Sequence, residues 1–276
     1  TIIEAAQALY QGHQVEEISR SDAGAINLEL TSKKIESIIE KSKQNNQKAI
    51  CFLTGVPGAG KTLAGLNIAN QRLKADESEH SVFLSGNGPL VDVLREALTR
   101  NTVEIGKSVA KNIKRSEAER GTKTFIQNIH HFRDHYLKSE EVPIEKVVIF
   151  DEAQRVWKKE QVSNFMKQKK GIDDFDMSEP EFLIQVMDRH QDWCVIVCLI
   201  GGGQEINTGE AGVTEWISAL RQNYPNWNVY YSDKVLNEPV YLGETEQKKW
   251  LKEQGVCEAS LHLAVSVRSF RSEHVS

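Results

Sequence analysis

One eight-residue stretch limits what this chain can fold into more than any other feature, because it fills every fixed position of a phosphate-binding loop, G-x-x-x-x-G-K-[ST]. An apolar run over 49–54 precedes it and predicts a buried strand, and apolar residues at helical spacing over 62–74 predict a helix after it. A strand that turns through glycines into a helix aims backbone N–H groups at one point, which favours phosphate binding. The stretch consists of Gly55, Val56, Pro57, Gly58, Ala59, Gly60, Lys61 and Thr62.

The residue types in this loop predict roles for two side chains. Lys61 is expected to reach the β and γ phosphates of a bound nucleotide, and the Thr62 hydroxyl is expected to ligate Mg²⁺. A glycine-rich turn with a chance lysine is the alternative, and the flanking strand and helix disfavour it. The whole loop, 55–62, is therefore the predicted binding site for ATP.

A second apolar run, over 147–150, ends in two carboxylates, Asp151 and Glu152. At the carboxyl end of a parallel strand, Asp151 would hold Mg²⁺, and Glu152 would orient and deprotonate an attacking water. Taken alone, such a run is usually a strand that leaves the core. Together with the phosphate-binding loop, it predicts a nucleoside triphosphatase rather than a passive fold.

A third strand end carries Gln204, which follows three glycines at 201–203 and a predicted strand over 193–200. A side-chain amide at this place can donate to the γ-phosphate and accept from the attacking water. We therefore predict a catalytic role for Gln204. An exposed glutamine in a glycine turn is the alternative, and it would be preferred without the other two motifs.

Composition narrows the class of protein further. The chain has 276 residues, of which 39% are hydrophobic and 26% charged, as expected for a globular protein. Its longest apolar run has strand length, far short of the ~20 residues that span a bilayer, so no membrane association is expected. Cys51, Cys194 and Cys198 lie in apolar strand runs and are predicted to be buried thiols, which fits a reducing cytoplasm.

Two segments are basic although the net charge of the chain is −5. They cover 107–123 and 158–170. Either could contact the phosphates of a nucleic acid, and a solvated helix face is at least as good an explanation of each.

Strands and helices alternate along most of the chain, which predicts an α/β fold with a mostly parallel sheet, helices on both faces and ligands at the carboxyl ends of the strands. A helical segment over 1–45 is expected to lead into an ATP-binding domain over 46–276. The predicted elements include helices over 108–119 and 124–138 and a strand over 261–267.

Five segments together resemble superfamily 1 helicases and, more closely, the Schlafen-group-3-like DNA/RNA helicase domain family. The resemblance covers about 49–276 and implies a RecA-like P-loop NTPase fold. The segments are Gly55–Thr62, Leu84–Leu90, Asp151–Arg155, Gly201–Glu210 and Ser266–Ser269.

The resemblance also implies roles for individual residues. Ser85–Leu90 corresponds to a loop, motif Ia, that touches the backbone of single-stranded DNA or RNA. Gln204 corresponds to the motif III glutamine, which links the γ-phosphate to the nucleic-acid groove, although the acid common in that motif is missing here. Arg268 corresponds to the motif IV arginine, which reaches ATP. Because the chain ends eight residues after Arg268, a second RecA-like domain is expected to be absent from it.

The leading hypothesis is the ATP-binding and ATP-hydrolysing first motor domain of a superfamily 1 DNA/RNA helicase or translocase. A P-loop ATPase switch, which controls partner binding without moving a strand, is the main alternative. A P-loop kinase and a non-catalytic nucleotide-binding fragment are two others. Stimulation of ATP hydrolysis by nucleic acid separates the first two, and Glu152 beside Asp151 favours water over a kinase acceptor.

Overall fold

Parallel strand pairing organises the computed structural model of this chain, which describes residues 2–11, 22–75, 79–109, 111–202, 212–243 and 246–266. The strands in these ranges are β1 (Lys48–Gly55), β2 (His80–Ser85), β3 (Ile126–Asn128), β4 (Glu145–Phe150), β5 (Cys194–Gly201), β6 (Asn228–Tyr231), β7 (Val256–Cys257) and β8 (His262–Leu263). They form one eight-stranded sheet of order β3-β2-β4-β5-β1-β6-β7, and β8 pairs with β1. All strand pairs in the described part of the chain are parallel.

Helices cover both faces of this sheet. The α-helices are α1 (Ile2–Gln11), α2 (Asp22–Asn45), α3 (Lys61–Ala75), α4 (Gly88–Ser108), α5 (Arg115–Phe125), α6 (Ile129–Leu137), α7 (Lys159–Phe165), α8 (Glu179–Asp188), α9 (Gly212–Asn223), α10 (Asp233–Asn237) and α11 (Glu246–Gln254). Helices α1 to α4 pack on one face, and α6, α8 and α9 pack on the other. The predicted α/β fold, with a parallel sheet between two layers of helices, is confirmed.

Alternation along the central strands explains why the sheet is buried on both sides. In β1, Ile50 and Phe52 belong to the core under α6, α8 and α9, whereas Cys51 and Leu53 belong to the core under α1 to α4. All four side chains are fully buried. Successive side chains of a strand point to opposite faces, so a strand covered twice must be apolar throughout.

Two of the predicted helices are wrong in their bounds, and one strand was missed. The expected helix over 124–138 is interrupted by β3, which pairs with β2 from Phe83 to Ser85. Its Ile126 is fully buried, and the side chain of Asn128 accepts the His130 backbone N–H at 2.8 Å, which starts α6. The helix expected over 108–119 is divided between the end of α4 and the start of α5. Tertiary pairing and a cap therefore override local helix propensity here.

The last predicted strand, 261–267, is also shorter than expected. Within the described residues only His262–Leu263 is a strand, and residues 267–276 lie outside them. The strand pairs with β1 at Thr54 and Gly55, beyond the point where β6 stops pairing at Phe52. It therefore continues the β6 edge of β1 up to the start of the phosphate-binding loop.

The amino-terminal helices share the core of the sheet. Leu9 of α1 and Ile35 and Ile39 of α2 are buried in the same cluster as the β1 side chains Cys51 and Leu53. The division of the chain into 1–45 and 46–276 remains a prediction.

A glycine contact between α3 and the sheet gives a stability prediction. A methyl group on Gly65 would lie 2.7 Å from Leu199 Cδ1 and 3.0 Å from Ile149 Cγ2, so Gly65→Ala should lower the free energy of unfolding by about 1–3 kcal/mol through overpacking. Gly121 of α5 is a matched control, because nothing lies within 4 Å of a methyl group placed there. Gly121→Ala should leave stability unchanged or raise it by up to about 1 kcal/mol. Urea denaturation of both variants decides this, and equal stability would contradict the predicted contact.

Candidate functional site

Three neighbouring strands end at one edge of the sheet and bring the predicted motifs together. β5 lies between β1 and β4, with Gly201 paired to Gly55 on one side and Cys198 paired to Phe150 on the other. The phosphate-binding loop, which follows β1, and the acidic pair, which follows β4, therefore flank the end of β5. Ligands of open parallel sheets bind at this edge.

The phosphate-binding loop turns through two glycines in left-handed conformations. Gly58 has φ 76° and Gly60 has φ 89°, values that strongly favour glycine. Helix α3 then begins at Lys61, whose Nζ donates to the backbone oxygens of Gly55 at 2.9 Å and Val56 at 3.3 Å. The loop thus wraps around its own ammonium group at the N-terminus of a helix, which is a geometry suited to anions.

The electrostatic surroundings of Lys61 tie it to the acidic pair. Burial lowers the pKa of Lys61, and the negative charges of Glu152 and Asp151 oppose that shift. The lysine predicted for phosphate binding therefore lies within the field of both predicted carboxylates.

Asp151 is held in a nearly closed polar pocket and is only 7% exposed. The Thr62 hydroxyl donates to its Oδ1 at 3.2 Å, and the Ser85 hydroxyl approaches its Oδ2 at 3.5 Å. Burial and the charge of Glu152 raise the pKa of Asp151 to about 6, and the two hydroxyl contacts partly offset this. A buried carboxylate whose charge is poorly compensated, with a threonine hydroxyl beside it, fits a small divalent cation that takes oxygen ligands.

Glu152 has a left-handed backbone, with φ 51° and ψ 45°, which is uncommon for a residue with a side chain. Gln154 holds its carboxylate, because Gln154 Nε2 donates to Glu152 Oε2. The same amide accepts the backbone N–H of Gly201 through Oε1 at 3.0 Å, and Gln154 is only 4% exposed. Gln154 therefore connects the predicted general base to the end of β5.

Sequence reasoning assigned no role to Gln154, although the residue lies inside a segment that carried the family resemblance. Its position three residues after Asp151 was the only available signal, and spacing alone cannot show that its two polar atoms reach two different strand ends. Thr54 and His262, which contact each other beside the phosphate-binding loop, were missed because they are far apart in the sequence.

The segment Ser85–Leu90 follows β2 and lies beside the acidic pair through the contact between Ser85 and Asp151. Its Asn87 caps α4, because the Asn87 side chain accepts the Leu90 backbone N–H at 3.2 Å. The segment is therefore placed at the same edge of the sheet as the phosphate-binding loop. Its contact with nucleic acid remains a prediction.

Two predicted site residues, Gln204 and Arg268, lie outside the residues that the structure describes. Of the three glycines before Gln204, Gly201 and Gly202 are described, and Gly201 ends β5, where it pairs with Gly55 at the start of the phosphate-binding loop.

Trp216 is a core residue, fully buried, and its Nε1 donates to the backbone oxygen of Ala153 at 2.9 Å. It therefore supports the turn that contains Glu152 and is not available to stack on a base.

The basic segment 158–170 is largely neutralised. Lys159 pairs with Asp176 at 2.5 Å, Lys170 with Asp134 at 2.9 Å, and Lys167 with Asp173 at 4.0 Å. These pairs favour a solvated, charge-balanced surface over a phosphate track for this segment.

The described residues contain neither a clustered metal site nor a membrane-spanning helix. No group of three or more histidine, cysteine, aspartate or glutamate side chains suited to a metal is found in the described part of the chain. Among the helices in the same ranges, none has both the length and the apolar character needed to cross a membrane.

Two solved structures are weakly similar to the chain. The Hef helicase domain of Pyrococcus furiosus aligns with 16% identity and a TM-score of 0.40 over 75% of this chain and 38% of its own. The Drosophila ORC bound to DNA aligns with 15% identity and a TM-score of 0.28 over 88% of this chain and 59% of its own. The chain thus spans less than two thirds of either structure, and neither score supports a conclusion.

Family membership comes from the sequence itself. No curated protein matches the chain. The model of the family described as Schlafen group 3, DNA/RNA helicase domain, matches residues 48–276, which include β1 with its phosphate-binding loop and the strands β2, β4 and β5 around it. The chain therefore belongs to the Schlafen group 3 DNA/RNA helicase domain family.

Proposed function

We propose that this chain is the ATP-binding and ATP-hydrolysing first motor domain of a superfamily 1 DNA/RNA helicase or translocase. One observation carries the proposal: Lys61, Thr62, Asp151 and Glu152 meet at the ends of β1 and β4, as a nucleoside triphosphatase requires. Family membership supports a helicase-type domain, and the hydrolysis of ATP is our inference from the geometry.

The loop 55–62 would bind the β and γ phosphates through its backbone N–H groups. Lys61 would exchange its two backbone carbonyl partners for phosphate oxygens, which are stronger acceptors because they are charged. Thr62 and Asp151 would hold Mg²⁺, which supplies positive charge where the γ-phosphate becomes more negative. A bound cation would also relieve the cost of burying the Asp151 carboxylate.

Glu152 would accept a proton from the water that attacks the γ-phosphate in line with the leaving oxygen. The amide of Gln154 holds Glu152 Oε2, so Oε1 would be the oxygen that accepts the proton. Gln204 would complete this arrangement after β5, and Arg268 would reach ATP at the hinge to the second motor domain. The roles of these last two residues rest on the family resemblance alone.

We also infer that single-stranded DNA or RNA binds across the carboxyl ends of the strands, beside Ser85–Leu90. Most contacts would be to phosphates, so binding should weaken steeply with salt and show little sequence preference. A second RecA-like domain would provide the other half of the groove and close over ATP. The net charge of −5 predicts weak nucleic-acid binding by this half alone.

ATP hydrolysis in the natural full-length protein tests the motor proposal. We expect single-stranded DNA or RNA to raise the rate at low salt and to lose that effect as salt increases. If neither polymer changes the rate at low salt, an ATPase switch that controls partner binding becomes the better account.

Gln204→Ala should uncouple the two sites in the same assay. The variant is expected to bind the single strand as the parent does. Its nucleic-acid-stimulated rate of ATP hydrolysis should fall at least about tenfold, because the amide no longer links the γ-phosphate to the groove. Gln191→Ala, at an exposed position before β5, is the control. Full stimulation in Gln204→Ala would remove this residue from the mechanism.

A further inference from the structure

Thr54, the last residue before the phosphate-binding loop, is a buried polar hub that the proposed chemistry does not use. Its side chain is fully buried, and its Oγ1 lies 2.7 Å from Ser232 Oγ, 2.8 Å from His262 Nδ1 and 3.4 Å from the Leu261 backbone oxygen. A hydroxyl has one donor and two acceptor positions, so these three contacts fill its capacity. A saturated buried hydroxyl fixes the positions of all its partners.

β8 also contacts the next two residues of the chain. A methyl group on Gly55 would lie 2.9 Å from Leu263 Cβ, so the two backbones approach as closely as glycine allows. The Val56 backbone N–H donates to the Leu263 oxygen at 3.0 Å. Residues 54, 55 and 56, where β1 becomes the loop, are therefore all held by β8.

The outer side of this strand is held by α2. Asn27 accepts the Ala264 backbone N–H at 2.9 Å and donates to the His262 oxygen at 3.4 Å, so one amide serves both sides of Leu263. The Thr31 hydroxyl donates to the Ser260 oxygen at 2.6 Å. β8 thus lies between a helix and the start of the loop, and it cannot move without breaking contacts on one side.

His262 links this strand to the nucleotide site electrostatically as well. Burial lowers the pKa of His262, the carboxylates of Glu238 and Asp233 oppose this shift, and the positive charges of Lys234 and, least of all, Lys61 add to it. The imidazole that contacts Thr54 is therefore also near the lysine that is expected to meet the phosphates.

We propose that His262 is a positioning residue of the phosphate-binding loop, acting through Thr54 so that nucleotide binding on the loop and the position of β8 are coupled. The proposal rests on the proposed ATP site.

Calorimetric titration of the chain with Mg·ATP tests the contact itself. His262→Ala should weaken binding about tenfold, whereas His262→Asn, which keeps a polar atom near the place of Nδ1, should recover most of the affinity. His190→Ala is a control for loss of an imidazole elsewhere, because the buried His190 contacts through Nε2 the Glu145 backbone oxygen at the start of β4, at the end of the sheet opposite to the phosphate-binding loop. Equal affinity of His262→Ala and the parent would overturn the proposal.

A double-mutant comparison tests whether His262 acts through Thr54. Thr54→Val removes the hydroxyl at constant shape and should weaken binding about tenfold, whereas Thr54→Ser should not. Adding His262→Ala to Thr54→Val should change affinity less than about twofold, since the contact is already lost. Thr99→Val, which breaks the buried 3.0 Å contact between Thr99 and Thr122, controls for loss of a threonine hydroxyl elsewhere. Multiplicative losses in the double variant would contradict the proposal.

Backbone amide hydrogen exchange distinguishes coupling from a purely structural role of His262, because only coupling predicts that bound Mg·ATP changes exchange in β8. Saturating Mg·ATP should slow exchange at 262–264 in the parent and in Thr54→Ser but not in Thr54→Val. Equal slowing in Thr54→Val, or none in the parent, would overturn the coupling. Lys61→Ala distinguishes failure of the proposed ATP site from failure of the positioning role. If Lys61→Ala binds ATP as the parent does, the proposed site is wrong. If Lys61→Ala loses binding but the His262 and Thr54 variants do not, only the positioning role is wrong.

Discussion

Lys61→Ala should weaken Mg·ATP binding by about 100-fold. The ammonium group lies inside the loop, and its present partners are the uncharged backbone oxygens of Gly55 and Val56. Phosphate oxygens would replace them with charge-assisted contacts, each worth about 1.5–3 kcal/mol, and about 1.4 kcal/mol is a tenfold change in affinity. Titration calorimetry with the chain at low salt measures this directly.

We expect the loss of Mg·ATP affinity in Lys61→Ala to result from the position of Lys61 in the loop and not only from the loss of one positive charge. Lys123→Ala is the control. Lys123 is an exposed lysine of α5, and this helix does not begin at the end of the sheet that carries the phosphate-binding loop. It should leave the affinity within about twofold of the parent, since exposed charges interact weakly across solvent. Comparable losses in both variants would mean that ATP responds to net charge, and unchanged affinity in Lys61→Ala would rule out the loop as the site.

The sequence predicts the central part of the fold because local and global signals agree there. Each of β1, β4 and β5 contains an apolar run, over 49–53, 147–150 and 194–200, as a strand buried on both faces requires, and each is followed by residues that the proposed chemistry uses. The cap at Ser178, whose side chain accepts the Glu181 backbone N–H at 3.3 Å and starts α8, is likewise a local feature that the sequence contains. Short segments with a strong local pattern were therefore predicted with nearly correct bounds.

The sequence fails where a residue is defined by a distant partner. β3 has three residues and exists because it pairs with β2, so a helical pattern on both sides of it hides it. Likewise, Gln154 gains its role from Gly201, and Thr54 gains its role from Ser232 and His262. Contacts between residues 47 to 208 positions apart leave no periodicity or spacing for a single sequence to reveal.

The backbone of Glu152 shows how the site constrains its own residues. A left-handed conformation costs about 1 kcal/mol or more for a residue with a side chain, and it persists only where the surroundings enforce it. The contact from Gln154 and the sheet position of Asp151, whose N–H donates to the Leu84 oxygen at 2.8 Å, enforce it here. In this conformation the carboxylate lies close enough to the phosphate-binding loop for its charge to act on Lys61, as the proposed role of a general base requires.

Glu152→Gln should slow ATP hydrolysis by the full-length protein at least about 100-fold, the scale of a lost general base. Because glutamine has the same shape and its amide oxygen can still accept from Gln154, Mg·ATP affinity should stay within about threefold of the parent. Glu160→Gln, at an exposed position of α7, controls for the loss of one negative charge. Parental turnover in Glu152→Gln would remove this residue from the mechanism, whereas loss of binding together with turnover would show that Glu152 holds the cation and that another group accepts the proton. Only slow turnover with unchanged Mg·ATP affinity matches a carboxylate that acts in the hydrolysis step and not in ATP binding.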